Sequence, residues 1–306
     1  MSKPGIVRGS YKRGWGVATL SLFCIGLLAW FVSPAQAGPL SERVVFVAPR
    51  DTMPKIYICR SDGRDLQLLT KVPGSQIQPS YSEANQRFYF VQFEDRRERI
   101  VSVDSEGDDL QIHVESPSRA YYPDPSPDGK KLIFSTDRWG ASELAEVDLA
   151  SGKVTRMTYD QATNTYPRYS PDGAQVVYLS RRHGQSELYL RTLATGEVER
   201  LTQTPFEEGP ASWSPDGKRL IATQLKPPRQ RSYLLEIDLP SGQHRTLLPD
   251  TPRVQNPVYS KDGALVVFLH DQVLWTYDPA DTKPQQFTLR GEFAPEFVKW
   301  IEFPLP

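Results

Sequence analysis

The stretch Ser126-Pro127-Asp128-Gly129 recurs as Ser170-Pro171-Asp172-Gly173, as Ser214-Pro215-Asp216-Gly217 and, with one change, as Ser260-Lys261-Asp262-Gly263. The steps between the serines are 44, 44 and 46 residues. Proline presets φ at the first central position of a tight turn, aspartate caps it, and glycine accepts the positive φ that follows. A turn of this kind joins two antiparallel strands. A period in this range, with several short strand-like runs in each unit, is the signature of a propeller-type repeat array.

Steps of 44 back from Ser126 land on Ser82 and then on Gly38. After each anchor comes an apolar strand: Val44–Val47, Phe88–Val91, Leu132–Phe134, Val176–Leu179, Leu220–Ala222 and Val266–Leu269. Each unit also has a short strand ending in an aromatic before the anchor, as in Pro167-Arg168-Tyr169. A third, alternating strand follows, as in Glu187-Leu188-Tyr189-Leu190, then a Gly-bearing hairpin and a fourth strand ending near Leu-Thr. Four antiparallel strands per unit make a propeller blade. The expected fold is all-β, a six-bladed β-propeller with blades at 38–70, 77–115, 121–158, 165–202, 209–248 and 255–290, and with no helix. The first unit lacks its innermost strand. Residues 293–301 contain Phe293-Ala294-Pro295-Glu296-Phe297, which matches the first-strand pattern, and are expected to pair with residues 43–48 and close the ring. Closure removes exposed sheet edges.

Residues 1–37 read as a secretory signal peptide. Lys3, Arg8, Lys12 and Arg13 precede an apolar run from Trp15 to Val32, and Ala35-Gln36-Ala37 fits the cleavage site. Four of the 36 Lys and Arg and none of the 37 Asp and Glu lie there, so cleavage leaves a net charge of −5. That balance argues against general nucleic-acid binding. It fits an exported protein, periplasmic or secreted, that is not held in a membrane after cleavage. Cys59, the one cysteine left, reads as a small buried hydrophobe.

The repeated pattern of Pro, aromatic, Ser-Pro-Asp-Gly, apolar strand and Leu-Thr resembles the repeats of the TolB family over essentially the whole mature chain. The resemblance implies an exported, periplasmic-type propeller that binds another macromolecule. In TolB itself a separate α/β domain precedes the propeller. This sequence is expected to be a stand-alone propeller of that type, which puts the TolB partner, a peptidoglycan-associated lipoprotein, in question.

The sequence has no Gly-x-Ser-x-Gly, His-Glu-x-x-His, Cys-x-x-Cys or phosphate-loop motif. His113, His183, His244 and His270 fall at different offsets in their units, so neither a metal site nor a cofactor is expected. The repeated aspartates are spread one per blade, which suits turn capping and not calcium binding. The aromatics before each anchor read as wedges between sheets.

Charge is divided between the two faces. The hairpins after first and third strands carry Asp128, Asp172, Asp216 and Asp262, whereas the opposite loops carry Arg96, Arg97, Arg138, Trp139, Arg181 and Arg182. The connections into the innermost strands, on that same basic face, hold Arg119, Tyr121, Tyr122, Asn164, Tyr166, Arg168, Glu207, Glu208, Arg253, Gln255 and Asn256. Aromatic and arginine side chains on loops of a rigid scaffold suit a binding surface. The expected function is a non-enzymatic, monomeric binding scaffold using its basic loop face on a protein or an anionic envelope polymer. The alternative is a lyase-like, glycan-acting enzyme with its site at the channel mouth.

Overall fold

The computed structural model describes residues 42–50, 53–60, 63–226, 231–249, 251, 253–271, 273–279, 284–286 and 297–302. The expected signal peptide and residues 293–296 lie outside the described residues. Among those described there is no helix, and the strands form six four-stranded antiparallel sheets.

The first blade joins β24 (Phe297–Glu302) to β1 (Glu42–Arg50), β2 (Met53–Arg60) and β3 (Gln67–Leu68). The second is β4 (Ser75–Ser82), β5 (Arg87–Glu94), β6 (Arg97–Asp104) and β7 (Gln111–Glu115). The third is β8 (Ala120–Pro125), β9 (Lys131–Trp139), β10 (Ala141–Asp148) and β11 (Val154–Arg156). The fourth is β12 (Asn164–Tyr169), β13 (Gln175–His183), β14 (Gln185–Thr192) and β15 (Val198–Arg200). The fifth is β16 (Glu207–Trp213), β17 (Arg219–Lys226), β18 (Arg231–Asp238) and β19 (Gln243–Leu247). The sixth is β20 (Val254–Tyr259), β21 (Val266–His270), β22 (Val273–Tyr277) and β23 (Gln285–Gln286). The ring closes as expected: β24 pairs with β1 from Glu42↔Glu302 to Val47↔Phe297.

Each sheet is covered on both faces, so its middle strands are buried on both sides and mostly apolar, and alternate residues serve opposite neighbours. In β1, Val45 and Val47 pack against the second blade with Phe88 and Phe90, while Val44, Phe46 and Ala48 pack against the sixth with Val267 and Leu269. Six such clusters fill the six junctions. The aromatics before the turns are wedges. Tyr169 donates its hydroxyl to Glu146 of the third blade at 2.7 Å, and Tyr259 donates to Glu236 of the fifth at 3.0 Å. Trp213 donates its indole N–H to the Arg168 carbonyl at 3.2 Å.

The repeated tetrapeptide caps its own turn and also touches the next one. In all four copies the serine hydroxyl donates to the aspartate Oδ1 at 2.6 Å. A Cβ on Gly173 would stand 3.4 Å from the Pro127 ring, on Gly217 3.7 Å from Pro171, and on Gly263 3.4 Å from Pro215, so consecutive turns nest. Asn85, which replaces the motif in the second blade, donates its amide to the Gly129 carbonyl at 2.7 Å. Lys261 and Glu83 form an ion pair at 2.8 Å, linking the sixth blade to the second across the place where the first has no such turn.

Candidate functional site

The innermost strand is interrupted at the same point in the second, third, fourth and sixth blades, and one residue earlier in the fifth. Two residues there oppose one on the neighbouring strand, between Ile77 and Ser80, Tyr121 and Asp124, Thr165 and Arg168, Glu208 and Ala211, and Gln255 and Val258. Gln78, Tyr122, Tyr166 and Asn256 sit at these bulges with φ of 56°, 54°, 55° and 49°. Positive φ is costly for a tyrosine, and bulges of this kind re-aim side chains beside binding sites. Here they bring Tyr122 and Tyr166 of adjacent blades into a stack with centroids 3.6 Å apart, with Tyr121 5.9 Å from Tyr122. The Tyr122 N–H donates to Gln78 Oε1 at 2.8 Å. Burial, reinforced by Tyr166, raises the Tyr122 hydroxyl far above the usual phenol range, so it stays a neutral donor.

Arg96, Arg97 and Arg119 converge on one recess of about 480 Å³ between the second and third blades, lined also by Glu98, Glu115, Ser116 and Ser118. Arg97 is paired with Glu115 at 3.2 Å, both exposed. Arg96 is presented by a two-residue turn in which Asp95 and Arg96 have φ of 48° and 63°. Arg119 is exposed, and its guanidinium is held charged chiefly by the Tyr121 hydroxyl. Glu98 Oε1 accepts the Ala120 N–H at 2.8 Å, and burial raises its carboxyl above the ordinary value.

The other candidates divide. Arg138 is exposed, 5.9 Å from the Trp139 ring, which also has Arg156 at 5.3 Å. Arg181 meets Glu207 at 3.4 Å and Arg253 meets Asp271 at 3.2 Å, so those two charges are offset on the same face. Arg182 is held by Asp160 at 2.7 Å and lies 4.5 Å from the Tyr189 ring centroid. Two residues need correction. Asn164 is 0 % exposed, its amide donating to Asp160 at 2.7 Å and to Glu143 at 3.3 Å, so it is a packing residue and no part of an accessible surface. Arg168 is largely buried, 3.7 Å from Asp124 in the wall of the ring. The rim is therefore less basic than the arginine count suggests, and Arg96, Arg119 and Arg138 are the members with no ion pair among the described residues.

The opposite face has a cavity of its own. The Ser-Pro turns of successive blades, with Tyr81, Tyr169, Trp213 and Tyr259, surround a cavity of about 370 Å³ at the channel mouth. Hydrogen bonds from Ser126, Ser170 and Ser214 hold the Asp128, Asp172 and Asp216 carboxyls below the usual carboxylate range, so this rim keeps its negative charge.

A family model described as the TolB beta propeller domain matches residues 34–277. The chain belongs to the TolB β-propeller family. No curated protein matches the sequence. Among solved structures, TolB from Acinetobacter baumannii superposes with a TM-score of 0.74 at 24 % identity, over 86 % of this chain and 67 % of that one. A nidogen/laminin complex superposes at 0.70 with 8 % identity, over 85 % and 98 %. An oligogalacturonate lyase in complex with manganese superposes at 0.59 with 16 % identity, over 80 % and 73 %. At these identities the likeness is one of fold.

In this family member the histidines fall where the unit offsets put them: His113 in β7, His244 in β19, and His183 and His270 at the ends of β13 and β21. Among the described residues no three His, Cys, Asp or Glu side chains gather as metal ligands would. Sequence reasoning missed a buried polar layer between blades. Glu143 and Glu187 are 0 % exposed and Glu208 is 2 % exposed. The available signal was a 44-residue spacing: Glu143 and Glu187, Arg156 and Arg200, Thr158 and Thr202, and Asn164 and Glu208 occupy repeated positions.

Proposed function

We propose that this propeller is an exported, non-enzymatic binding scaffold that receives an anionic group of a protein or envelope polymer on its loop face, as a periplasmic-type member of its family. The observation that carries the reading is the convergence of Arg96, Arg97 and Arg119 on one recess beside the Tyr121–Tyr122–Tyr166 group. Guanidinium groups recognise carboxylate, sulfate or phosphate in a bidentate manner. The tyrosines add large contact area at low entropic cost. Membership of the TolB propeller family supports a binding role. The test is affinity capture from the native envelope with wild type and with R96E/R119E, followed by a salt titration of the captured complex. The charge-reversed protein should bind about tenfold more weakly and with a flatter salt dependence. Equal capture and an equal salt slope would contradict the reading.

A further inference from the structure

Two successive blade junctions are built from the same residues with one exchange. Between the third and fourth blades, Arg156 Nη2 donates to Glu143 Oε1 at 2.9 Å and the Leu144 N–H donates to Thr158 Oγ1 at 2.9 Å. The Thr158 hydroxyl and the Asn164 amide both donate to Glu143 Oε2. Between the fourth and fifth, Arg200 Nη2 donates to Glu187 Oε1 at 3.0 Å, the Leu188 N–H donates to Thr202 Oγ1 at 2.9 Å, and the Thr202 hydroxyl donates to Glu187 Oε2. The residue 44 places after Asn164 is Glu208, and a carboxylate has no N–H to give.

Glu208 is 2 % exposed and stands beside Glu187, which is 0 % exposed, in the place from which Asn164 reaches Glu143 one junction earlier. Its Oε1 accepts from Thr204 at 2.9 Å and from Gln224 at 3.1 Å, whereas its Oε2 has no donor among the described residues. Two carboxylates sharing one buried site do not both ionise readily. Arg200, engaged with Glu187, is one positive charge for the two. Of the other charged groups on the packed elements, Arg181 pairs with Glu207, Arg182 with Asp160 and Arg219 with Glu236, Arg168 lies near Asp124, Lys226 lies over the Phe206 and Tyr233 rings, His183 is bonded to the Tyr189 hydroxyl, and Arg191 reaches the hairpin at Gly196, at the other end of β14 from Glu187. β20 offers Val254 at the position equivalent to Glu208.

We propose that the junction of the fourth and fifth blades is a proton-binding joint, in which Glu208 carries a proton on Oε2, donates it to Glu187 in place of the Asn164 amide of the preceding junction, and loads the junction with carboxylate repulsion when it releases it. Burial, with the Glu187 carboxylate beside it, pushes the Glu208 carboxyl up to about 7. The neighbouring Glu207 reaches Arg181 of the fourth blade at 3.4 Å, so the joint lies directly under a contact of the loop face.

The sign follows from linkage. The folded form holds this proton more tightly than the unfolded chain, so the contribution is complete below the ordinary glutamate value of 4.5 and is lost as pH rises to about 7. Urea unfolding of wild type and E208Q between about pH 5 and 8 tests it, because glutamine supplies an N–H as Asn164 does. The unfolding constant of wild type relative to E208Q should rise about tenfold per pH unit until the proton is gone. A ratio independent of pH overturns the proposal. A second measurement needs no variant. In wild type labelled at glutamate, the side-chain carboxyl ¹³C shifts should show one titration near neutrality, and ordinary titration of every glutamate would refute it. Recovery of the lost stability on adding Ca²⁺ or Mg²⁺ at pH 7.5, in wild type and not in E208Q, would assign the gap to a metal ion and overturn the proton.

Discussion

Replacing Arg156 by methionine should be among the most destabilising single changes away from the apolar core. Glu143 is fully buried and takes its one guanidinium bond from Arg156 at 2.9 Å. Arg156 is further held between the Trp139 and Tyr159 rings at 5.3 and 4.8 Å, and its Nε donates to the Thr158 carbonyl at 2.8 Å. Stranding a buried charge costs about 3–5 kcal/mol, and an exposed cation–π contact is worth about 0.5–1 kcal/mol. Arg156 is itself 23 % exposed, so water softens the loss and the lower end applies, about 3 kcal/mol. For a chain of this size that is a fall in Tm of about 5 °C. Thermal and urea unfolding measure it, with R97M as control, since Arg97 and Glu115 are 64 % and 43 % exposed and their pair is worth less than about 1 kcal/mol. Adding E143Q to R156M removes the stranded charge and should restore most of the loss. If R156M lies within about 0.5 kcal/mol of wild type, or the double variant is no better than R156M, the buried pair does not hold this junction.

Other expectations concern backbone and pH. Gly107 has φ of +82° and a Cβ there would lie 1.8 Å from the Leu69 carbonyl oxygen, whereas at Gly152, with φ of +69°, it would meet nothing within 4 Å. G152A should cost about 1 kcal/mol in urea unfolding and G107A several times more; equal losses would mean that the second blade does not press on the first as described. Burial, with Arg87 beside it, lowers the His113 pKa from 6.5 to about 4. The unfolded chain takes that proton first, so stability should fall as pH drops from 6.5 towards 4, and H113Q should flatten the fall. A slope unchanged in H113Q would count against a neutral His113 bonded to the Ser102 hydroxyl at 2.7 Å.

What was legible in the sequence was local or repeated. Ser-Pro-Asp-Gly announces its turn in four residues, and its period counts the blades. The closing strand could be anticipated because Pro295-Glu296-Phe297 copies a first-strand pattern where the first unit lacks one. The polar layer was hidden for a physical reason. Glu187-Leu188-Tyr189-Leu190 alternates, which in a sheet with one wet face would point Glu187 outward. In a propeller both faces of a middle strand are covered, and these four residues are 0, 0, 2 and 7 % exposed. The rim arginines were overcounted for a related reason: Glu115, Glu207 and Asp271, which offset Arg97, Arg181 and Arg253, lie 18, 26 and 18 residues away along the chain. The bulges were invisible because Gln78, Tyr122, Tyr166 and Asn256 share one backbone conformation across three side-chain types.

The account rests on the loop face as the binding face, although the opposite face has a cavity of its own. Capture from the native envelope with three proteins decides between them: wild type, Y122A/Y166A on the loop face, and D128N/D172N/D216N on the turn face, each checked for folding. The account predicts that wild type and the turn-face variant retain the same partner and that Y122A/Y166A loses it. Retention by Y122A/Y166A with loss by the turn-face variant would place the site at the Ser-Pro-Asp-Gly mouth and contradict the account.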